Sequence, residues 1–195
     1  MNEPRIKDLF LKTMLEIADK IKENEETVDT DNILNLINAI IQVKNDNAMV
    51  FVYGAGRSGF VGRCFAQRLM HLGIKSCFIS DAVTHQYSEN DLLIIISGSG
   101  ETTSSLAISK KASEIGGKIA LITGNLTSSI GKLAHFVIKI EGKSKDKAIS
   151  QETLAPYTSL FDISALSVLD SIGGAIMKLL GVTESDIEKR HASIE

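Results

Sequence analysis

Five short apolar runs, at residues 49–53, 75–79, 92–96, 118–122 and 135–140, alternate with helix-period segments through most of this 195-residue chain. Strands that are apolar on consecutive residues, rather than on every second one, must be covered on both faces. The segments between them carry helix signals: 58–71 ends before Gly73, 102–115 ends before Gly116-Gly117, and a short helical turn lies near Ser128–Leu133. A long helix is expected from Ser159 to Leu180, and Thr183-Glu184-Ser185-Asp186 caps a last short one ending in Arg190-His191. Strand and helix in alternation predict an α/β fold, a three-layer α/β/α sandwich on five parallel strands.

Two further helices precede the first strand. Ile6, Leu9, Phe10, Met14, Ile17, Ala18 and Ile21 recur at helical spacing, Glu23–Thr30 forms a charged break, and Asp31 caps a second helix reaching Val43. Residues 1–45 are therefore read as helices outside the βα core, free for contacts with the core or a neighbouring subunit, and 46–195 as the domain proper. Glu141–Gln151 reads as a mobile Lys/Ser-rich loop. A net charge of −3 without a Lys/Arg cluster offers no footprint for nucleic acid or a membrane surface. No apolar run of about 20 residues is expected to cross a bilayer, and MNEPRIKDLF lacks a secretory core, so a cytoplasmic location is expected. Cys64 and Cys77, with no CxxC pair, read as buried free thiols.

The chemistry concentrates in two loops. Gly54-Ala55-Gly56-Arg57-Ser58-Gly59 follows the first strand, and Ser97-Gly98-Ser99-Gly100-Glu101-Thr102 follows the third. Each opens a helix, where unpaired N–H groups and the positive end of the helix dipole favour an anion. Glycine lets the backbone approach closely, and Ser58, Ser97, Ser99 and Thr102 add hydroxyl donors. Both loops lie at strand carboxyl ends, where open α/β sheets bind ligands. Gly54, Gly56 and Gly59 also satisfy GxGxxG, with Asp81 22 residues beyond Gly59, as a dinucleotide site would. Arg57 and Ser58 stand where a pyrophosphate needs bare backbone, and a dinucleotide has no use for the second cradle. No Lys follows in GK[ST] form, so this is not a P-loop. The competing reading is two tight turns whose hydroxyls only cap helices.

The stretch FVYGAGRSGFVGRCFAQRLMHLGIKSCFIS with DLLIIISGSGETTS resembles the sugar isomerase (SIS) domain family. Within that family GAGRSG, RCFAQRLMHLG, SGSGET and the terminal EKRH are most similar to 6-phospho-3-hexuloisomerases. The resemblance implies a flavodoxin-like sheet and isomerisation of D-arabino-3-hexulose 6-phosphate to fructose 6-phosphate. It also implies no metal or organic cofactor, and a homo-oligomer (dimer or tetramer) with sites near subunit interfaces. By the same resemblance, the substrate phosphate sits on Ser58, Ser97, Ser99 and Thr102, with Gly56, Arg57, Gly98 and Glu101 around it. Another SIS isomerase, such as one for arabinose 5-phosphate, and a non-catalytic phosphosugar-binding module remain alternatives.

Moving a ketone from C3 to C2 through a cis-enediol needs a base, a proton shuttle and a positive group facing the oxyanion. Hexuloisomerases resemble P-x-G-S-L-F-E at the start of the long helix. Here the stretch is Pro156-Tyr157-Thr158-Ser159-Leu160-Phe161-Asp162. Asp162 thus replaces the family Glu, shorter by one methylene, about 1.5 Å. It is the first candidate base, the alternative being a first-turn Asp favoured by the helix dipole. Glu152 is the second, in a segment similar to arabinose-5-phosphate isomerases, and Glu101 is a rim residue. His71, His85 and His191 complete the catalytic candidates. His191 is placed to reach a neighbouring subunit, and His85 lies beyond a strand end. Arg57 protrudes from the first loop toward the enediolate or the phosphate. His135 reads as structural.

Overall fold

The computed structural model describes residues 3–142 and 153–193. Its strands are β1 (Val50–Gly54), β2 (Ser76–Phe78), β3 (Leu92–Ile96), β4 (Lys118–Thr123) and β5 (Phe136–Lys139). All pair in parallel, in the order β2-β1-β3-β4-β5. The register is continuous across the centre: Val50 pairs with Leu92, and Leu92 with Lys118. Every residue of β3 is buried, as its unbroken LLIII run requires of the central strand. The strand order reverses between β1 and β3, the two strands that carry the glycine and serine loops.

The helices are α1 (Glu3–Thr27), α2 (Thr30–Asn45), α3 (Arg57–His71), α4 (Thr103–Ile115), α5 (Ser159–Leu179) and α6 (Glu184–Arg190). The larger core packs α2, α3 and α5 on one face of the sheet: Leu36, Ile40, Phe65, Leu69, Leu169 and Ile176 meet Val50, Val52, Ile94 and Ile122. On the other face, Phe51, Leu93, Ile95, Ile119 and Leu121 are covered by α4, by Tyr87 of the β2–β3 loop and by Ile130 of the turn after β4. Three layers are present, but the second helical layer is thin because no helix joins β2 to β3.

Several expectations are corrected here. Helix α1 runs on to Thr27 through the expected charged break. Asp29, rather than Asp31, caps α2, its carboxylate accepting from the Asp31 and Asn32 N–H groups at 3.0 and 3.1 Å. Of the two contacts expected for the N-terminal helices, α2 makes the one with the core: Leu36, Ile37, Ala39, Ile40 and Val43 are all buried. Helix α5 does have the length and composition of a membrane span, yet it packs on α1 and α3 as the central core helix. Cys64 is exposed, not buried. The expected loop at 141–151 falls almost wholly outside the described residues, as does Glu152.

Helix α1 is different in kind. Asn24 is its one buried residue, clamped to the strand-end backbone by Nδ2–H donation to the Glu141 carbonyl at 2.8 Å and by the return bond from the Glu141 N–H. Glu16 accepts from the Leu154 and Ala155 N–H groups at 2.9 and 2.7 Å, which secures the approach to α5. Beyond that anchor, Ile6, Leu9, Phe10, Met14 and Leu15 stand exposed.

Candidate active site at the strand carboxyl ends

The first loop turns so tightly that β1 and α3 touch. A Cβ on Gly54 would lie 2.6 Å from the Ser58 carbonyl oxygen, and one on Gly59 would lie 2.6 Å from the Gly54 carbonyl oxygen. Only hydrogen fits at either position, and the head of α3 is thereby set directly over the end of β1. No side chain caps α3, whose N-cap is Gly56.

The second loop is braced from below. Ser97 is buried; its hydroxyl accepts from the Gly100 N–H at 3.2 Å and stands 3.3 Å from the Thr102 hydroxyl. The Ser99 hydroxyl accepts from the Glu101 N–H at 3.2 Å while the residue itself is exposed. Gly100 has φ +65°, and a Cβ there would meet the Ser128 hydroxyl at 2.1 Å, so no other residue keeps this turn. Thr102 occupies the N-cap of α4 without making a side-chain cap bond. Glu101 does not close the loop over the crevice. Its carboxylate accepts from the Ser129 N–H, and that bond holds its pKa below the ordinary value.

The head of α5 completes the site. Asp162 is 3 % exposed, and both of its oxygens are engaged. Oδ1 accepts from the Ser58 hydroxyl at 2.8 Å, and Oδ2 accepts from Arg57 Nε–H at 3.3 Å. Arg57 itself is 61 % exposed, so its guanidinium reaches from solvent to a buried carboxylate. Phe161, next along α5, packs its ring against Gly98. Hydrogen bonds and packing thus join Asp162 to Arg57 and Ser58, Ser97 to Thr102, and Phe161 to Gly98, all at the strand carboxyl ends, with Gly56 and Ser99 exposed in the same two loops.

The histidines go elsewhere. His71 ends α3, fourteen residues and roughly 20 Å along the helix from Arg57. It is buried and stacks on His191 with ring centroids 4.2 Å apart, while Arg190 donates to its carbonyl at 2.8 Å. His85 lines an apolar cavity of about 200 Å³ with Phe51, Tyr87, Lys111 and Ile115, beside the C-terminal half of α4. His135 accepts from the Ile119 N–H through Nδ1, a structural role as expected. Asp81 pairs with Arg63 at 2.9 Å, and Arg63 also lies 3.9 Å over the Phe78 ring. The carboxylate that a dinucleotide reading reserves for a ribose is therefore already bound to an arginine.

Sequence reasoning missed the third strand end. Thr123 and Asn125 after β4 buttress the second loop: the Thr123 hydroxyl donates to the Gly98 carbonyl at 3.3 Å, and Asn125 Nδ2–H donates to the Ser99 carbonyl at 3.4 Å. The available signal was Thr123-Gly124-Asn125 closing an apolar run, the same grammar as the two loops already singled out.

Thr158, the residue before α5, has φ +69° and ψ −15°, the left-handed region that a β-branched side chain resists. Its hydroxyl is buried with no hydrogen-bond partner. The P-x-G-S-L-F-E pattern that the resemblance implies would put Gly here, and a positive φ suits glycine. Thr158→Gly removes strain of about 1–3 kcal/mol against a chain-entropy cost of about 0.5–1 kcal/mol. The variant is expected to be more stable by about 1 kcal/mol, read as a higher denaturant midpoint at unchanged slope.

Comparison with known proteins agrees with this fold. The family model described as the SIS domain matches residues 43–166. A 3-hexulose-6-phosphate isomerase of Methanocaldococcus jannaschii is 42% identical over 160 residues, 82% of each chain. Its counterpart in Bacillus subtilis is 38% identical over 147 residues, covering 75% of this chain and 80% of that one. A crystal structure from Methanococcus jannaschii, of a protein for which a 3-hexulose-6-phosphate isomerase function was inferred, superposes with a TM-score of 0.79. It is 38% identical and covers 92% of this chain and 97% of its own. With its sheet order, its two strand-end loops and these relatives, the chain belongs to the SIS domain family.

Proposed function

We propose that this protein is a sugar-phosphate isomerase that interconverts D-arabino-3-hexulose 6-phosphate and fructose 6-phosphate. The observation that carries the reading is that the heads of α3, α4 and α5 all lack side-chain caps, and we read them, with the hydroxyl-bearing loops beside them, as facing one crevice. Such a crevice suits a phosphate dianion. Relatives named for this reaction, at 38–42% identity, support the sugar.

In this proposal Ser97, Ser99 and Thr102, with the N–H groups at the head of α4, take the phosphate, and Ser58 joins from the first loop. Phosphate binding holds the carbons in place and supplies remote binding energy to the reacting centre. Asp162 removes the C2 proton, and the electron pair forms the C2–C3 enediol. The O2 proton is surrendered, O3 is protonated, and a proton returned to C3 completes fructose 6-phosphate. Arg57 faces the oxyanion that develops meanwhile. Pentose chemistry has less support, because His85, on which its resemblance leaned, sits beside the far half of α4.

In D2O the wild-type chain is expected to place solvent deuterium at C3 of fructose 6-phosphate and to leave C1 protiated. Asp162→Asn is expected to slow that exchange by about 10²–10⁴-fold. Exchange on arabinose 5-phosphate alone would overturn the hexulose assignment. Binding without exchange on either sugar would leave a phosphosugar-binding module.

We further propose that a second copy of this chain covers α1. Its exposed Ile6, Leu9, Phe10 and Met14 follow helical spacing, the pattern of a helix made to be packed upon. Light scattering on a Phe10→Glu, Met14→Glu variant is expected to give a smaller assembly than the wild type. An unchanged mass would remove α1 from the interface.

A further inference from the structure

The side chains that the first loop offers a phosphate are already engaged by a carboxylate, while no side chain caps the backbone N–H groups at the head of α3. A serine hydroxyl has one proton to give, and that of Ser58 goes to Asp162 Oδ1 at 2.8 Å. Among the described residues Arg57 makes one ion pair, through Nε to Asp162 Oδ2 at 3.3 Å. The acceptor of both is a carboxylate at 3 % exposure, which water does not serve in their place. A phosphate dianion entering the crevice therefore competes with a resident carboxylate for the same hydroxyl and the same guanidinium. It also enters beside a like charge.

We infer that Asp162 is an internal counter-anion of the phosphate site. It holds Ser58 and Arg57 while the crevice is empty and gives them up to the substrate's phosphate. The exchange frees both carboxylate oxygens to accept a proton, so the base is unmasked by the group that identifies a phosphorylated sugar. An unphosphorylated sugar leaves Asp162 bound to the loop. Inorganic anions meet the competing carboxylate without the contacts of a sugar to offset it. This deepens the function proposed above and rests on its placement of the phosphate and of Asp162 as base.

The test reads phosphate binding apart from chemistry, by titrating inorganic phosphate into the wild type, Asp162→Asn, Ser58→Ala and the double variant. Asparagine keeps an acceptor for Ser58 and removes the charge. Asp162→Asn is expected to bind phosphate about tenfold more tightly, although sugar exchange is lost, since a like charge a few ångströms away in a partly screened site has at least that effect. Ser58→Ala is expected to cost about tenfold in the Asp162→Asn background but no more than about threefold in the wild-type chain, where the hydroxyl's proton is committed to Asp162. Equal Ser58→Ala effects in both backgrounds, or phosphate binding that is unchanged or weaker in Asp162→Asn, overturn the inference. Should Asp162→Asn fail to fold, the wild-type chain still decides: its Arg57 Nε–H resonance is expected to shift on saturation with phosphate, and an unmoved resonance overturns the inference. Deuterium exchange on the hexulose phosphate is measured separately. A wild-type chain that exchanges normally but lacks the phosphate behaviour refutes the counter-anion alone. One that shows the phosphate behaviour without exchange refutes the isomerase reading.

Discussion

A carboxylate removed from water is costly unless donors meet it, and the donors that meet Asp162 come from a different helix. Ser58 and Arg57, at the head of α3, bind its two oxygens and tie the start of α5 to the end of β1. The rest of the crevice follows from that tie. Helix α5 is held where Phe161 supports Gly98, and Gly98 in turn accepts from the Thr123 hydroxyl and the Gly124 N–H beyond β4. Three strand ends are thus linked by side chains and backbone at the edge where the phosphate is proposed to bind.

How the helices are capped divides the molecule. Helix α2 is capped by Asp29, and α6 has a full capping box between Thr183 and Asp186. Neither head belongs to the crevice. The heads of α3, α4 and α5 have no side-chain cap. Helix N-termini left open to one cleft suit a ligand that brings its own negative charge. The strained Thr158 at the head of α5 belongs to the same group, since backbone strain concentrates where a site must be held in one geometry.

Much of this was legible in the residues. Continuous apolar runs pointed to the parallel sheet, and the two glycine- and serine-bearing loops lie at the ends of β1 and β3, between which the strand order reverses. What the sequence did not reveal depends on tertiary partners. Asp31 looked like the cap of α2, but Asp29 reaches two N–H groups because the chain enters the helix earlier. Whether the first two helices cover the core or a neighbour could not be read from the sequence; α2 packs on β3 and β5, on the same face of the sheet as α3 and α5. That His71 and His191 stack on each other, because α6 folds back on the end of α3, could not be read from residues 120 positions apart. Asp162 was found by its place in a motif. That both of its oxygens would be held by the phosphate loop could not be read from a spacing of 104 residues to Ser58.

The central claim is that one phosphate group is held between the loops after β1 and β3. Backbone amide NMR of the intact chain, titrated with fructose 6-phosphate and separately with fructose, tests it most directly. The account predicts large shifts for the phosphorylated sugar at the amides of residues 56–59 and 98–104, and none there for fructose. Shifts of equal size with both sugars, or shifts centred on the His85 cavity instead, would contradict it.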